Sequence, residues 1–276
     1  MAGSTIVSMG LIVAGAFALL WFLELKRPLR TRSTEPKLRR AGRNLVIAGI
    51  GGIVVQLAER PIALHFAGVV EQRRWGLLNV VQLPRPVAIV LGILLLDYTL
   101  YLWHVLTHRV PFLWRFHLVH HVDLDLDAST ALRFHFGELA FSVPYRAAQI
   151  LLFGIDVTTF TAWQGLLMLS ILFHHSNVRL DPRIDRMLAW AIVTPRLHGI
   201  HHDAEFTHTN SNWSSGLTMW DRLHGTLRTG IPQDQVVIGV PAYRDPRELT
   251  AARCLELPFQ AQRPDWTPVD SGISLE

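Results

Sequence analysis

Residues Thr5 to Leu23 form an uninterrupted apolar run, long enough to carry a helix across the hydrocarbon core of a bilayer. No other feature constrains the chain so tightly, because backbone in lipid must satisfy its own hydrogen bonds, and only helices and closed barrels do so. Composition extends the constraint to the rest of the 276 residues: half are hydrophobic and 17% are charged, with a mean hydropathy of +0.25. That balance belongs to a multi-span membrane protein rather than to a soluble domain. The expectation is an all-α, polytopic membrane helical bundle.

The run is followed at once by Glu24, Lys26, Arg27, Arg30, Arg32, Lys37, Arg39, Arg40 and Arg43. Under the positive-inside rule this loop is cytoplasmic and the N-terminus lies outside. Basic residues placed after the run, with no A-x-A-like site, speak for a retained span rather than a signal peptide. The net charge of +4 gathers beside apolar segments, as expected of loops touching anionic lipid, and makes no case for a nucleic-acid partner. A second apolar segment, 44–57, is expected to continue past Pro61 to Val70 with a kink, its Gly49, Gly51 and Gly52 permitting close helix contact. A third, from about Val87 to Leu106, returns the chain to the cytoplasm. Residues 139–173 are mostly apolar, broken near Gly154 and Asp156, and short for two full spans; they read as a tight membrane hairpin.

Beyond Asn177 the chain turns polar, with an amphipathic stretch from Ile184 to Val193 suited to the membrane surface. From Pro232 proline and charge dominate, as in a cytosolic cap with a loose terminus. Three regions result: an N-terminal transmembrane region with the basic loop, 1–96; a central region, 97–227, that contains the hairpin; and a C-terminal tail, 228–276.

The chemistry concentrates in DYTLYLWHVLTHRVPFLWRFHLVHH, Asp97 to His121. His104 and His108 are spaced i, i+4, and His117, His120 and His121 are spaced i, i+3, i+4, so on a helix each set shares a face. His198, His201 and His202 repeat the second spacing, as two halves of one metal cage would. Histidine is about one residue in twenty here, so two H-x-x-H-H motifs are a poor candidate for chance. Purely structural histidines in such number would each need a hydrogen-bond partner or carry a desolvation cost. The single Cys254 excludes thiolate-ligated zinc and iron–sulfur sites and reads as a packing thiol, leaving imidazole and carboxylate as the ligand pool. Imidazole serves iron, zinc, copper and nickel alike, so a zinc-dependent membrane hydrolase stays open. A metal transporter is disfavoured, because its ligands belong midway through several spans rather than at one face. Asp97, two helical turns before His104, is expected to hold a ligand imidazole through its second nitrogen. Asp203 is a further candidate for that role, and Asp221 equally for a helix cap or a pair with Arg222. His65 and His208 lack partner spacing and are left out.

Together these motifs resemble the fatty acid hydroxylase and sterol desaturase superfamily of integral-membrane, histidine-ligated dimetal oxygenases, over roughly Asp97 to Thr226. The family's opening H-x(3 or 4)-H matches His104 and His108, and its two H-x-x-H-H motifs match His117, His120 and His121 and then His198, His201 and His202. Its isolated H-x-N after a membrane hairpin matches His175 and Asn177, which favours His175 over the adjacent His174 as a ligand. RFHFGE offers His135, a further candidate ligand, and Glu138 where relatives carry an R-x-H-P-x-E type element. The sequence departs from the family at NSNWSSGLTMWDRLHGT: Trp213 stands near a usual Tyr, and His224 replaces a Phe and reads as a packing residue. The resemblance implies two Fe ions, with zinc not excluded, held mainly by these histidines, with Asp97 and Asn177 assisting catalysis. It further implies O2 as co-substrate, a membrane lipid substrate, and an external electron donor, a separate reductase with a ferredoxin or cytochrome carrier. The reaction expected is hydroxylation of a lipid C–H bond; a desaturase would use the same site. The expected location is a bacterial plasma membrane with the site facing the cytoplasm.

Overall fold

The computed structural model describes residues 2–31, 34–81 and 83–264; Arg32 of the basic loop and the tail beyond Pro264 lie outside the described residues. The regular secondary structure of the described residues is helical, with only isolated β-bridges besides. Helix α1 (Ala2–Lys26) contains the first apolar run. Helix α2 (Lys37–Val54) passes through a π-helical turn, Val55–Glu59, into α3 (Arg60–Arg73). Pro61, in the first turn of α3, has no N–H to give the preceding turn and its ring crowds the carbonyl four residues back. The π turn widens the helix at that point, so the expected kink takes the form of a bulge. Of Gly49, Gly51 and Gly52 in α2, only Gly51 lies at a close approach: a Cβ there would stand 2.9 Å from Leu139 and 3.1 Å from the Phe134 carbonyl.

After α4 (Leu77–Val80), helix α5 (Arg85–Arg109) ends where Val110, held extended by the following Pro111, breaks it. Pro111 then opens α6 (Pro111–His121). The expected hairpin is present as α7 (Phe136–Phe153) and α8 (Val157–His175), with Gly154 left-handed (φ 75°) at the turn and Asp156 capping α8 through Thr159 N at 2.7 Å. Gly76 (φ 89°) packs directly on this turn, where any Cβ would strike Gly154. Helix α7 lies against α2 and α3, and α8 against α1 and α5. Four stretches, Met9–Lys26, Lys37–Val80, Arg85–Arg109 and Val157–His175, are long and apolar enough to cross a membrane. Leu11, Leu19, Phe22, Leu45, Ile53 and Leu57 expose half or more of their surface on α1, α2 and the π turn, as lipid-facing residues do. The protein is an integral membrane protein.

The remaining described residues form a cap over one end of the bundle from α9 (Pro182–Leu188), α10 (Pro195–His201), α11 (Phe206–Thr209), α12 (Met219–Leu223) and α13 (Ala251–Glu256). Within the amphipathic stretch from Ile184 to Val193 the helix ends at Leu188, and Ile184, Met187 and Trp190 are exposed. Val240, Tyr243, Leu249 and Cys254 pack with Ile47 of α2 and Leu118 of α6, fixing this part of the cap to the bundle.

The basic loop does not stay free for lipid. Arg40 is buried and pairs with Asp123 at 3.0 Å and with Asp127, and Arg43 pairs with Glu35 and with Asp123 at 3.2 Å. Three arginines around Asp123, Arg40, Arg133 and Arg43, outweigh its burial and hold its carboxyl down to about 2. Glu24, at the end of α1, accepts from Ala128 N, Asn177 N and Lys37 Nζ at 2.8, 2.9 and 2.6 Å. The ends of α1, α5 and α8 and the start of α2 therefore meet at one end of the bundle, beneath the cap.

Candidate metal centre

Nine histidines converge at that junction in two adjacent groups: His104, His108, His117, His121 and His201, and His120, His175, His198 and His202. Within each group the ligand atoms lie within 4.8 Å of one another. The sorting follows helical geometry. His117 and His121 are one turn apart on α6 and share a face, whereas His120 points around the helix; on and just after α10, His198 and His202 share a face and His201 points away. Each H-x-x-H-H motif thus serves both groups, which corrects the expectation that each motif builds half of one cage.

Hydrogen bonds fix which nitrogen faces inward. The Nδ1 atoms of His104, His201, His120 and His175 lie 2.7, 2.8, 3.2 and 2.9 Å from the carbonyls of Trp213, Ser211, Arg133 and Ile171. A carbonyl only accepts, so each of these rings carries its proton on Nδ1 and presents a bare Nε2. His117 Nδ1 lies 2.9 Å from Glu138 Oε1, with the same consequence. In the first group the Nε2 atoms of His104, His108, His117, His121 and His201 are buried with no hydrogen-bond partner. In the second, His120 Nε2 and His175 Nε2 approach to 2.9 Å. Both rings have committed their proton at Nδ1, so this contact sets two lone pairs against each other. Protonation is a poor remedy, because burial and the neighbouring imidazoles hold His120, His121, His198 and His202 well below the usual histidine range. Burial, reinforced by neighbouring imidazoles, lowers His201 to about 3. A cation among the Nε2 atoms satisfies both groups, and an all-imidazole set suits iron or zinc.

Supporting contacts hold these partners in place. Asp221 accepts from the backbone N–H of Trp213 and Ser214 at 3.0 and 2.9 Å, fixing the loop whose carbonyl meets His104. Arg133, fully buried, donates to Val119 O, Asn44 Oδ1 and Cys254 Sγ at 2.7, 2.7 and 2.9 Å while its own carbonyl meets His120. Phe134 stacks on the His120 ring at 4.6 Å.

Several expected site residues stand elsewhere. Asp97 accepts from Trp220 Nε1 at 2.7 Å and Leu217 N at 3.1 Å and orients no imidazole; two turns of α5 separate its carboxylate from His104. Asn177 exchanges both side-chain bonds with the backbone of Arg30, at 2.9 Å each, and braces the segment after α1. His135 caps α7 by accepting from Gly137 N at 2.9 Å, and its Nε2 lies 3.0 Å from Leu255 O, so both nitrogens are occupied outside the groups. Asp203 meets His208 Nδ1 at 2.7 Å, not a converging imidazole. His65 lies exposed on α3, and His224 stacks on Tyr101 at 5.0 Å as a packing residue. His174 is buried against His198, 4.1 Å between ring centres, and joins neither group.

A cavity of about 380 Å³ leads from the histidines into the bundle between α2, α5, α7 and α8. His104, His117, His120 and His175 form its inner end, and Leu100, Leu139, Leu167, Met168 and Ile171 form much of its wall.

The fatty acid hydroxylase family model matches residues 89–226. The chain belongs to the fatty acid hydroxylase family. Among its curated relatives, ornithine lipid hydroxylase OlsE of Rhizobium tropici is 33% identical over 162 residues, 58% of this chain and 47% of the relative. Alkylglycerol monooxygenase of Xenopus tropicalis is 28% identical over 59% of this chain and 35% of the relative. Human cholesterol 25-hydroxylase is 31% identical over half of each. The chain thus spans half or less of the length of each of these relatives, and no solved structure matches it. The fatty acid hydroxylase segment contains all nine converging histidines, Glu138 and the Asp221 brace, whereas Arg40, Arg43 and the π turn lie before it.

Proposed function

We propose that this protein is a membrane-bound lipid hydroxylase that inserts one oxygen atom of O2 into a C–H bond of a membrane lipid. Two iron ions would be held by His104, His108, His117, His121 and His201 and by His120, His175, His198 and His202. The observation that carries the reading is the convergence of bare Nε2 atoms on two adjacent points at the inner end of an apolar cavity. Bound iron supplies O2 activation, chemistry that no side chain in this set provides alone. The chain's own part is positional. Carbonyls of Trp213, Ser211, Arg133 and Ile171 keep the imidazoles in the Nδ1–H form, and Glu138 takes the His117 proton as a hydrogen bond. The aliphatic wall of Leu100, Leu167, Met168 and Ile171 holds a hydrocarbon against the site and excludes water.

Residues 97–227 form the catalytic unit in this reading, 1–96 the N-terminal membrane region with its basic loop, and 228–276 the cytosolic C-terminal tail. The junction of helix ends faces the cytoplasm of a bacterial plasma membrane. Electrons arrive there from a separate reductase through a ferredoxin or cytochrome. Incubation of purified, metal-loaded protein with a reductase system, membrane lipid and 18O2 tests the proposal: one labelled oxygen per product is expected. Product formed equally without O2, or oxygen drawn from water, overturns it.

A further inference from the structure

The cavity has a second polar end that the histidines do not explain. Glu59, the last residue of the π turn, and Arg146 of α7 both line it and are 8% and 6% exposed. They attract each other electrostatically, yet no ion pair joins them among the described residues. Arg146 leans on the Trp163 ring, 4.2 Å from its guanidinium carbon, and bonds Gln149 through Nη1, but its Nε is buried without a partner. The Glu59 carboxylate accepts no hydrogen bond among the described residues. An acid without a hydrogen-bond donor and a guanidinium with a buried, unpartnered Nε are costly inside a membrane bundle, and such groups mark ligand sites more often than scaffolding. The π turn adds a second indication, because the bulge brings Gln56 and Glu59 onto the cavity wall, and π turns concentrate at functional positions.

Two helices set the distance between the polar end and the histidines. From Glu138, on His117, to Arg146 is eight residues of α7, and from Gly51, against Phe134, to Glu59 is eight residues of α2 and the π turn. Each path amounts to about 12 Å. The charge balance then selects the ligand. A carboxylate would gain from Arg146 and be repelled by Glu59, and an ammonium the reverse. A hydroxyl donates to Glu59 and accepts from Arg146, and it is also the least costly of the three to carry into lipid.

We propose that Glu59 and Arg146 form a subsite for a hydroxyl group of the substrate, so that the lipid is a long-chain or polycyclic alcohol positioned with a carbon about 12 Å from its hydroxyl at the histidines. This rests on the hydroxylase reading for the identity of the substrate, but its test does not require turnover. Protein in phosphatidylcholine nanodiscs, without reductant, is offered two matched pairs: octadecan-1-ol against octadecane, and cholesterol against its 3-deoxy analogue. Bound ligand is measured by native mass spectrometry. Hydrogen bonds to charged groups lead us to expect about a tenfold or greater preference for the alcohol in at least one pair. The pair that responds distinguishes a linear alcohol from a sterol. Glu59→Gln and Arg146→Lys, both close in shape to the native side chains, should lose most of that preference with metal content unchanged. No preference in either pair for the wild-type protein overturns the subsite, as does a preference that survives both substitutions. Absence of oxidised product in the 18O2 assay would remove the hydroxylase reading while leaving a measured alcohol preference intact.

Discussion

His117 Nδ1 lies 2.9 Å from Glu138 Oε1, both side chains buried, so this ring meets a carboxylate where His104, His120, His175 and His201 meet backbone carbonyls. A carboxylate acceptor raises the basicity of the far nitrogen more than a carbonyl does. The arrangement makes Glu138 the side chain outside the histidines with the most direct hold on the site.

Glu138→Gln should therefore weaken metal binding or activity by roughly 10 to 100-fold, with the fold intact. Chelator competition on purified protein reads the affinity, and product formation reads the activity. A variant indistinguishable from wild type in both would remove Glu138 from the support of His117.

The ion-pair cluster behind the site makes a different kind of prediction. Arg40 is buried between Asp123 and Asp127, and Arg40→Met would leave two carboxylates without their main partner. Breaking a buried pair from one side costs about 3 to 5 kcal/mol, so the variant should unfold at a markedly lower temperature and retain less metal. Arg39→Met, one residue earlier and exposed, should change neither. Equal Tm values for the two variants would return the basic loop to the lipid-facing role that its charge alone suggests.

Acid should destabilise the metal-stripped protein. His201 is lowered to about 3, and His120, His121, His198 and His202 are lowered by burial and by each other. Their folded-state affinity for protons lies below that of the unfolded chain, so the stability they permit is present above about pH 6.5 and is lost as pH falls toward 3. Tm measured on chelator-treated protein should fall across this window. Metal reloading should move the onset to lower pH, because bound metal competes with protons for Nε2. A Tm that stays level down to pH 4 would contradict the burial of neutral imidazoles.

The spans, the hairpin and the histidine spacings were legible because each is a local pattern. Apolar length and the i, i+3, i+4 rule need no knowledge of tertiary contacts, and Gly154 and Asp156 announce their turn by residue type. What escaped was decided by partners distant in the chain. Arg40 reads as a topology marker until Asp123, 83 residues later, neutralises it. Asn177 and His135 match family positions in sequence, yet the first bonds Arg30 and the second caps α7. The carbonyls of Trp213, Ser211, Arg133 and Ile171 have no side-chain signature at all. Glu138 had one in RFHFGE, and reading it as a histidine partner needed only the acceptor rule. The division of each H-x-x-H-H between two groups was also implicit, since positions one turn apart share a face and the intervening histidine does not.

Asp97 supplies the sharpest contrast between a metal-binding residue and a structural one. Sequence spacing puts it two turns from His104 on α5, but its Oδ2 accepts from Trp220 Nε1 and Leu217 N. Those bonds tie α5 to the cap at α12, and Gly216 lies so close that a Cβ there would stand 2.2 Å from the carboxylate. Asp97→Asn keeps the shape and one accepting oxygen but replaces a charged acceptor by a neutral one, so it should cost about 1 to 3 kcal/mol of stability. Metal should remain at two ions per chain. His104→Ala and His120→Ala should each lower the stoichiometry toward one, from different groups, and the double substitution should bring it near zero. Metal analysis and thermal unfolding of the four variants in one preparation check this. If Asp97→Asn loses metal as fully as His104→Ala at an unchanged Tm, Asp97 acts on the imidazoles after all and the cap contact is incidental.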